Sequence, residues 1–336
     1  MAKSTGQQVK ALAILDLLKK YADEENPLNA IEICDKLYDM GIETERKSVY
    51  RGIEALIDYG YDIIQTRSPR AGYYLAEKTF ELPEIYLLTD AVQAASFITV
   101  KKTRELVKKL DGMLSEGERK KREKGLYIDN GHKCENEEIY YNIDALSRAI
   151  ADGKKVSFVY TVRNITGDRK LVSSNKEYKV SPYALIWQNE HYYLVANNEK
   201  YDNLMHIRLD RVKKVSVLNE TFRHFSEVSC YNDYFDIADY AAKSFQMYAG
   251  ELTEITLRCN SSIIEQVVDR FSDKIFIRNN SDGWFTFSTK VMLSKGLVNW
   301  ILQFGDNIEV KAPETLIDMI KERIIALEKS YGLYKE

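Results

Sequence analysis

Lys47, Ser48 and Arg51 put a cation, a hydroxyl and a guanidinium within five positions of one another. Those are the groups that read nucleic acid. A guanidinium matches guanine O6 and N7 with two parallel hydrogen bonds, while lysine and serine reach a base edge or a phosphate oxygen. Arg46 and Tyr50 flank them and suit backbone contacts. Arg67 and Arg70 sit around a Pro/Gly turn further on and suit phosphate. The candidate DNA contacts are therefore Arg46, Lys47, Ser48, Tyr50, Arg51, Arg67 and Arg70.

Such residues need elements that hold them outward. In ERKSVYRGIEALIDYG, Val49, Ile53, Leu56 and Ile57 fall on one stripe, so at about 100° per residue Lys47, Ser48 and Arg51 point the other way. Upstream, Leu12, Leu15 and Leu18 predict a helix over residues 8 to 21, ended by the turn DEENP. Asn29 and Glu32 have the spacing of a capping box for a short second helix that carries Ile31, Ile33, Cys34 and Leu37 and stops at Gly41. Downstream, YDIIQTRSPRAGYYL reads as two short strands around a turn, a basic hairpin that would serve as a wing. A merely solvated amphipathic unit would also expose Lys and Arg. The ordered set of helix, short helix, tight link, basic helix and basic hairpin points to DNA and to a winged helix-turn-helix.

The 336 residues, 45% of them hydrophobic, can bury two or three modest cores, and three domains are expected. A net charge of -3 gives no global attraction to phosphate, so any nucleic-acid surface must be local. The four cysteines and four histidines show no CxxC or HxxxH spacing, which predicts reduced thiols and no metal site. MAKSTGQQVK has no apolar run behind its charges, and no stretch approaches the roughly 18 apolar residues of a membrane span. A cytoplasmic protein without membrane contact is expected. There is no P-loop, no GxGxxG after a strand and no GxSxG elbow, so neither catalysis nor a cofactor is expected.

Residues 81 to 138 read as a helical connector, with two helices over 83 to 124 and a linker over 125 to 138. Its KKREK run is open to phosphate contact or to being a solvated helix end. Beyond a helix at 140 to 152 the period changes to two in KVSFVYTV, EYKVSPYALIW, HYYLVAN, NLMHIRL and VKKVSVL, five short strands of a small barrel. The remainder reads β-α-β-β-α-β, the ferredoxin-like split βαβ order, with a last helix from Glu314 to Ser330.

The segment from Met40 to Leu75 resembles the winged helix-turn-helix that opens WYL-domain transcription regulators. FVYTVRN, KVSPYALIWQNEHYYLVA and HIRLDRVKKVSVL resemble the WYL domain itself, with Tyr192-Tyr193-Leu194 at its name-giving triplet. WILQFGDNIEVKAPETLIDMIKERI is similar to the WCX-type extension that follows it. Family members commonly carry an acidic residue where this chain has Gly52, and Ser or Thr where it has Glu45.

The resemblance implies an α+β multidomain chain: a winged helix-turn-helix at 1–80, a helical connector at 81–138, an Sm/SH3-like WYL barrel at 139–222 and a dimerising or regulatory ferredoxin-like extension at 223–336. It implies a homodimer on a double-stranded DNA operator, regulated by a single-stranded nucleic acid or nucleotide. Carried over by motif, the ligand residues are Tyr160, His206, Arg208 and Arg211, to which Lys179 beside SPY and His191 in HYYL are added. Several have a plainer reading: Tyr160 as core or rim, His206 as a sheet histidine, Arg211 as the partner of Asp210 or of a neighbouring acid. Trp284 and Trp300 are open to being interface anchors or core. The alternative function is an accessory protein that binds single strands and modulates a CRISPR or other phage-defence nuclease.

Overall fold

The computed structural model describes residues 2–123, 133–165, 171–272, 275–279 and 282–332. The chain divides into two compact units, 1–134 and 135–336, and its element content is mixed α and β.

In the first unit α1 (Ala2–Tyr21) buries Ile14, Leu15, Leu17 and Leu18. Each such side chain contributes about 1.5–3 kcal/mol on leaving water. The chain then turns where the Asp23 carboxylate accepts hydrogen bonds from the Glu25 and Asn26 backbone N–H groups at 3.1 and 2.9 Å. Helix α2 (Ala30–Asp39) starts on the capping box: Asn29 Oδ1 accepts from the N–H groups of Ile31 and Glu32, and the Glu32 carboxylate accepts from Asn29 N–H. Helix α3 (Arg46–Tyr59) buries Val49, Gly52, Ile53 and Leu56 and stops at Gly60, whose φ of 115° suits glycine alone. Strands β1 (Ile63–Thr66) and β2 (Gly72–Leu75) pair antiparallel. Leu28 bridges to Tyr73, and a Cβ at Gly72 would lie 2.8 Å from the Leu28 carbonyl carbon. Only glycine admits that approach.

Three helices follow where two were expected: α4 (Leu82–Ala94), α5 (Val100–Asp111) and α6 (Glu116–Glu123). Two caps make the breaks. Thr99 Oγ1 accepts from Lys102 N–H, and Ser115 with Glu118 forms a reciprocal pair of side-chain to backbone bonds. The second is a capping box lying inside a run of charge, where it draws little notice. The Ser115 hydroxyl also donates to the carboxylate of Asp23, and Lys78 pairs with Glu118 at 2.6 Å. These bonds fasten the start of α6 to the turn after α1 and to the chain that leaves β2. Most of the expected linker, residues 125–132, lies outside the described residues.

The second unit opens with α7 (Ile139–Ala151) and five strands: β3 (Lys154–Ile165), β4 (Leu171–Gln188), β5 (His191–Asn197), β6 (Leu204–Arg208) and β7 (Val212–Thr221). Their order is β6-β5-β4-β3-β7, all antiparallel. Strand β4 pairs with β3 up to Val180 and with β5 from Ser181, with a register shift between Pro182 and Ala184. One strand is thus handed from one ladder to the next, the device by which a small sheet curls. The β4–β5 turn runs through Asn189 and Glu190 with φ of 49° and 61°.

Helix α8 (Ile237–Lys243) and the chain around it pack Val228, Tyr240 and Met247 against Tyr183, Ile186 and Val195 of β4 and β5. Last come β8 (Glu251–Asn260), α9 (Ile264–Phe271), β9 (Ile277–Asn279), β10 (Trp284–Leu293), α10 (Lys295–Leu302), β11 (Ile308–Ala312) and α11 (Glu314–Ser330). The sheet order is β11-β8-β10-β9. Leu257, Val267, Phe287, Leu297 and Leu316 form its core. Both tryptophans left open between interface anchor and core are engaged within the unit. Trp300 meets Phe245, Phe271 and Phe304, and the Arg258 guanidinium lies 4.6 Å from the Trp284 ring.

Candidate functional site

Two groups of basic residues emerge, one in each unit. On α3, Val49, Gly52, Ile53 and Leu56 face the core, which leaves Arg46, Lys47, Tyr50 and Arg51 exposed and Ser48 half-buried. Among the described residues no carboxylate pairs with Arg46, Lys47 or Arg51. Tyr50 tilts toward Tyr73 of the hairpin with ring centres 6.5 Å apart. Arg67 is exposed in the β1–β2 turn. Arg70, by contrast, donates to the Glu32 carboxylate at 2.8 Å. The same glutamate closes the α2 capping box, so one carboxylate serves two partners.

Gly52 and Glu45, the two positions that differ from the resembled pattern, acquire physical meaning here. A Cβ on Gly52 would stand 2.7 Å from Ile14 Cδ1, the tip of a fully buried side chain, so an acid here would have to push that tip aside and give up water. Gly52 belongs to the α1–α3 contact and not to the reading face. Glu45 is the N-cap of α3 and makes no side-chain cap bond. The first N–H groups of α3 are therefore uncapped by that side chain, at the positive end of the helix dipole.

In the second unit, Arg208 ends β6 and lies across from Tyr193 of β5. Its Nε and Nη2 donate to the two oxygens of Asp210 at 3.1 and 2.8 Å, and Nη2 lies 3.4 Å from His191 Nδ1. Desolvation holds the His191 imidazole below its usual range, and the Arg208 cation adds to this. Tyr193 feels the charges of Arg208, Asp210 and Arg211 and the nearby phenol of Tyr160; burial raises its pKa. Tyr160, His191, Tyr193, Arg208, Asp210 and Arg211 thus form one cluster of two guanidiniums, an imidazole, two phenols and one carboxylate.

Two expected members stand elsewhere. Lys179 pairs with Glu220 at 2.6 Å, in a separate group with Lys155 and Glu199. His206 turns to α8, with Nε2 2.7 Å from the Tyr240 hydroxyl, and desolvation pushes its imidazole down to about 4. Tyr240 in turn lines a cavity of about 710 Å³ that also meets Leu204, Cys230, Leu252 and Met292. The plainer reading offered Asp210 as one partner for Arg211, whereas its carboxylate bonds Arg208. Tyr193 was legible only as part of the aromatic triplet; the period-two alternation that sets it on the face of His191 and across from Arg208 was the available signal.

Residues 141–217 match the family model of the WYL domain, and residues 251–327 match that of the WCX domain. The chain carries a WYL domain followed by a WCX domain. The Arg208 cluster lies wholly within the WYL domain, and β8 through most of α11 make up the WCX domain. The chain is similar to the uncharacterized HTH-type transcriptional regulator YobV of Bacillus subtilis (strain 168), at 22% identity over 335 residues, 97% of this chain and 98% of the relative. Among solved structures it matches the proteasome accessory factor B/C (PafBC) of Arthrobacter aurescens at 16% identity with a TM-score of 0.27. That match covers 96% of this chain but 49% of the solved one, so the chain spans about half of it. Among the described residues no group of His, Cys and carboxylates could hold a metal ion, and no helix is long and apolar enough to cross a membrane.

Proposed function

We propose that this WYL–WCX chain is a cytoplasmic, homodimeric, sequence-specific transcription regulator whose affinity for DNA changes when a nucleic acid or nucleotide binds its WYL domain. The observation that carries the reading is the outer face of α3, where Arg46, Lys47 and Arg51 stand exposed with no described carboxylate partner, above a stripe committed to the core.

In this reading residues 1–80 are a winged helix-turn-helix: α3 enters the major groove, its N-terminal turn approaches phosphate, and the β1–β2 hairpin is the wing. Residues 81–138 join it to the WYL domain, a small Sm/SH3-like barrel over 139–222. The WCX domain is the ferredoxin-like dimerising end, with 223–250 as its lead-in. Two heads on a two-fold axis meet half-sites one helical turn or a multiple apart. The full-length similarity to a protein named as an HTH-type transcriptional regulator supports the DNA-binding role. No step of the proposal requires catalysis or a cofactor.

The decisive experiment is binding to duplex DNA from upstream of the chain's own gene across a salt titration. The expected result is a preference over random duplex that persists as salt weakens both. Equal affinity for the two at every salt concentration sinks the proposal.

A further inference from the structure

Arg208 of the WYL cluster is not open in the way the cations of α3 are. Of the two edges by which a guanidinium grips a phosphate or carboxylate with two parallel hydrogen bonds, one presents Nε and one Nη. On Arg208 that edge is filled, because Asp210 Oδ1 and Oδ2 accept from Nε and Nη2 at 3.1 and 2.8 Å. The pair is sheltered, with 27% and 20% of the two side chains exposed, so the attraction is less screened than at an open surface. Around it stand Arg211, the His191 ring and the phenols of Tyr160 and Tyr193, groups that suit an anion attached to a flat ring.

We infer that Asp210 is a built-in competitor, whose carboxylate occupies on Arg208 the position a phosphate ester takes when the WYL domain binds its ligand. The inference rests on the ligand-binding role proposed above and adds how that site is set. An anion that takes this edge must evict the carboxylate, so weak or singly charged anions are refused there. A ligand that also stacks on the tyrosines and reaches Arg211 gains enough to displace it.

The exchange needs only a side-chain movement. The turn that holds Asp210, Leu209–Arg211, is pinned from behind. Asn136 Nδ2 donates to the carbonyl oxygens of Asp210 and Val212 at 3.4 and 2.7 Å, and Asn142 Nδ2 donates to Val212 at 2.8 Å. The backbone stays while the carboxylate rotates to another staggered position. Evicted, it remains near enough to repel the incoming charge, which makes it a selectivity element as well as a plug.

The test is fluorescence anisotropy of the full chain with a 5′-phosphorylated, end-labelled oligothymidylate, and in a second arm competition by thymidine monophosphate. Each is measured for wild type, Asp210→Asn, Asp210→Ser and Arg208→Gln. The expected result is binding about tenfold tighter for both Asp210 variants in at least one arm, with the gain erased when Arg208→Gln is added. The arm that shows it tells whether the phosphate belongs to a strand or to a free nucleotide. Arg208-dependent binding by wild type that is unchanged or weaker in both Asp210 variants overturns the competitor and leaves the ligand-binding role standing. No Arg208-dependent binding by any variant in either arm overturns both.

Discussion

The arginines of α3 and the arginine of the WYL cluster differ in what faces them. Arg46 and Arg51 project from a helix whose core stripe ends beneath them, with no described carboxylate in reach, whereas Arg208 is held at both nitrogens by Asp210 two residues along. An open cation meets any polyanion, with an affinity that salt tunes. An occupied one discriminates, because the newcomer must outbid a partner already in place. The hairpin repeats the contrast at smaller scale, with Arg67 open and Arg70 on Glu32.

The openness of α3 depends on close packing beneath it, and Gly52→Asp attacks that packing directly. The substitution forces a carboxylate into contact with Ile14 and should cost roughly 3 kcal/mol or more, read as a lower denaturant midpoint for the first unit. An unchanged midpoint would mean that α1 and α3 do not meet as described. On the WYL side, His206 sharpens the comparison through pH. Its folded pKa of about 4 lies below the ordinary 6.5, so between those values the unfolded chain takes up a proton that the fold refuses. Stability should fall by ~2 to 3 kcal/mol as pH drops from 6.5 to 4 and be flat in this respect above 6.5. His206→Gln should remove that part of the slope, and a wild-type profile of equal shape would contradict it.

Arg51→Ala should lose about 1 to 3 kcal/mol of discrimination at one base pair, measured by competition among operator variants. Uniform loss on all sequences would move the reading face elsewhere. Arg67→Ala should weaken all duplexes alike and lower the salt slope by about one, with Arg70→Ala doing less because Glu32 already holds that side chain. The smallest effect is a gain. Glu45→Ser supplies the missing cap on α3 and should stabilise the first unit by about 0.5 to 1 kcal/mol while removing a negative charge beside the DNA.

Much of this was legible because it is local. The Asn29–Glu32 box, the stripe of α3, the turn of the hairpin and the bounds of α11 follow from residues within a few positions of one another. The site was legible in part. Tyr160, His191, Arg208 and Arg211 come together, but the direction in which His206 faces depends on Tyr240, 34 residues away, and that of Lys179 on Glu220, 41 residues away. No periodicity carries such information. The close fit at Gly52 was equally hidden, since a buried glycine and an exposed one look alike until the neighbouring helix is in place.

The bond from Ser115 to Asp23 and the Lys78–Glu118 pair beside it bear on how the proposed dimer would measure out an operator. A reading head on a slack tether samples a spread of separations from its twin and forgives an operator a few base pairs too long. In the proposed dimer, a head fastened to its connector moves with it as one piece and narrows that spread. For such a dimer, inserting about five base pairs between half-sites would swing one of them to the far side of the duplex, and the lost affinity could not be recovered by reaching. Ser115→Ala would then surface far from the DNA it affects, as a new tolerance for misplaced half-sites.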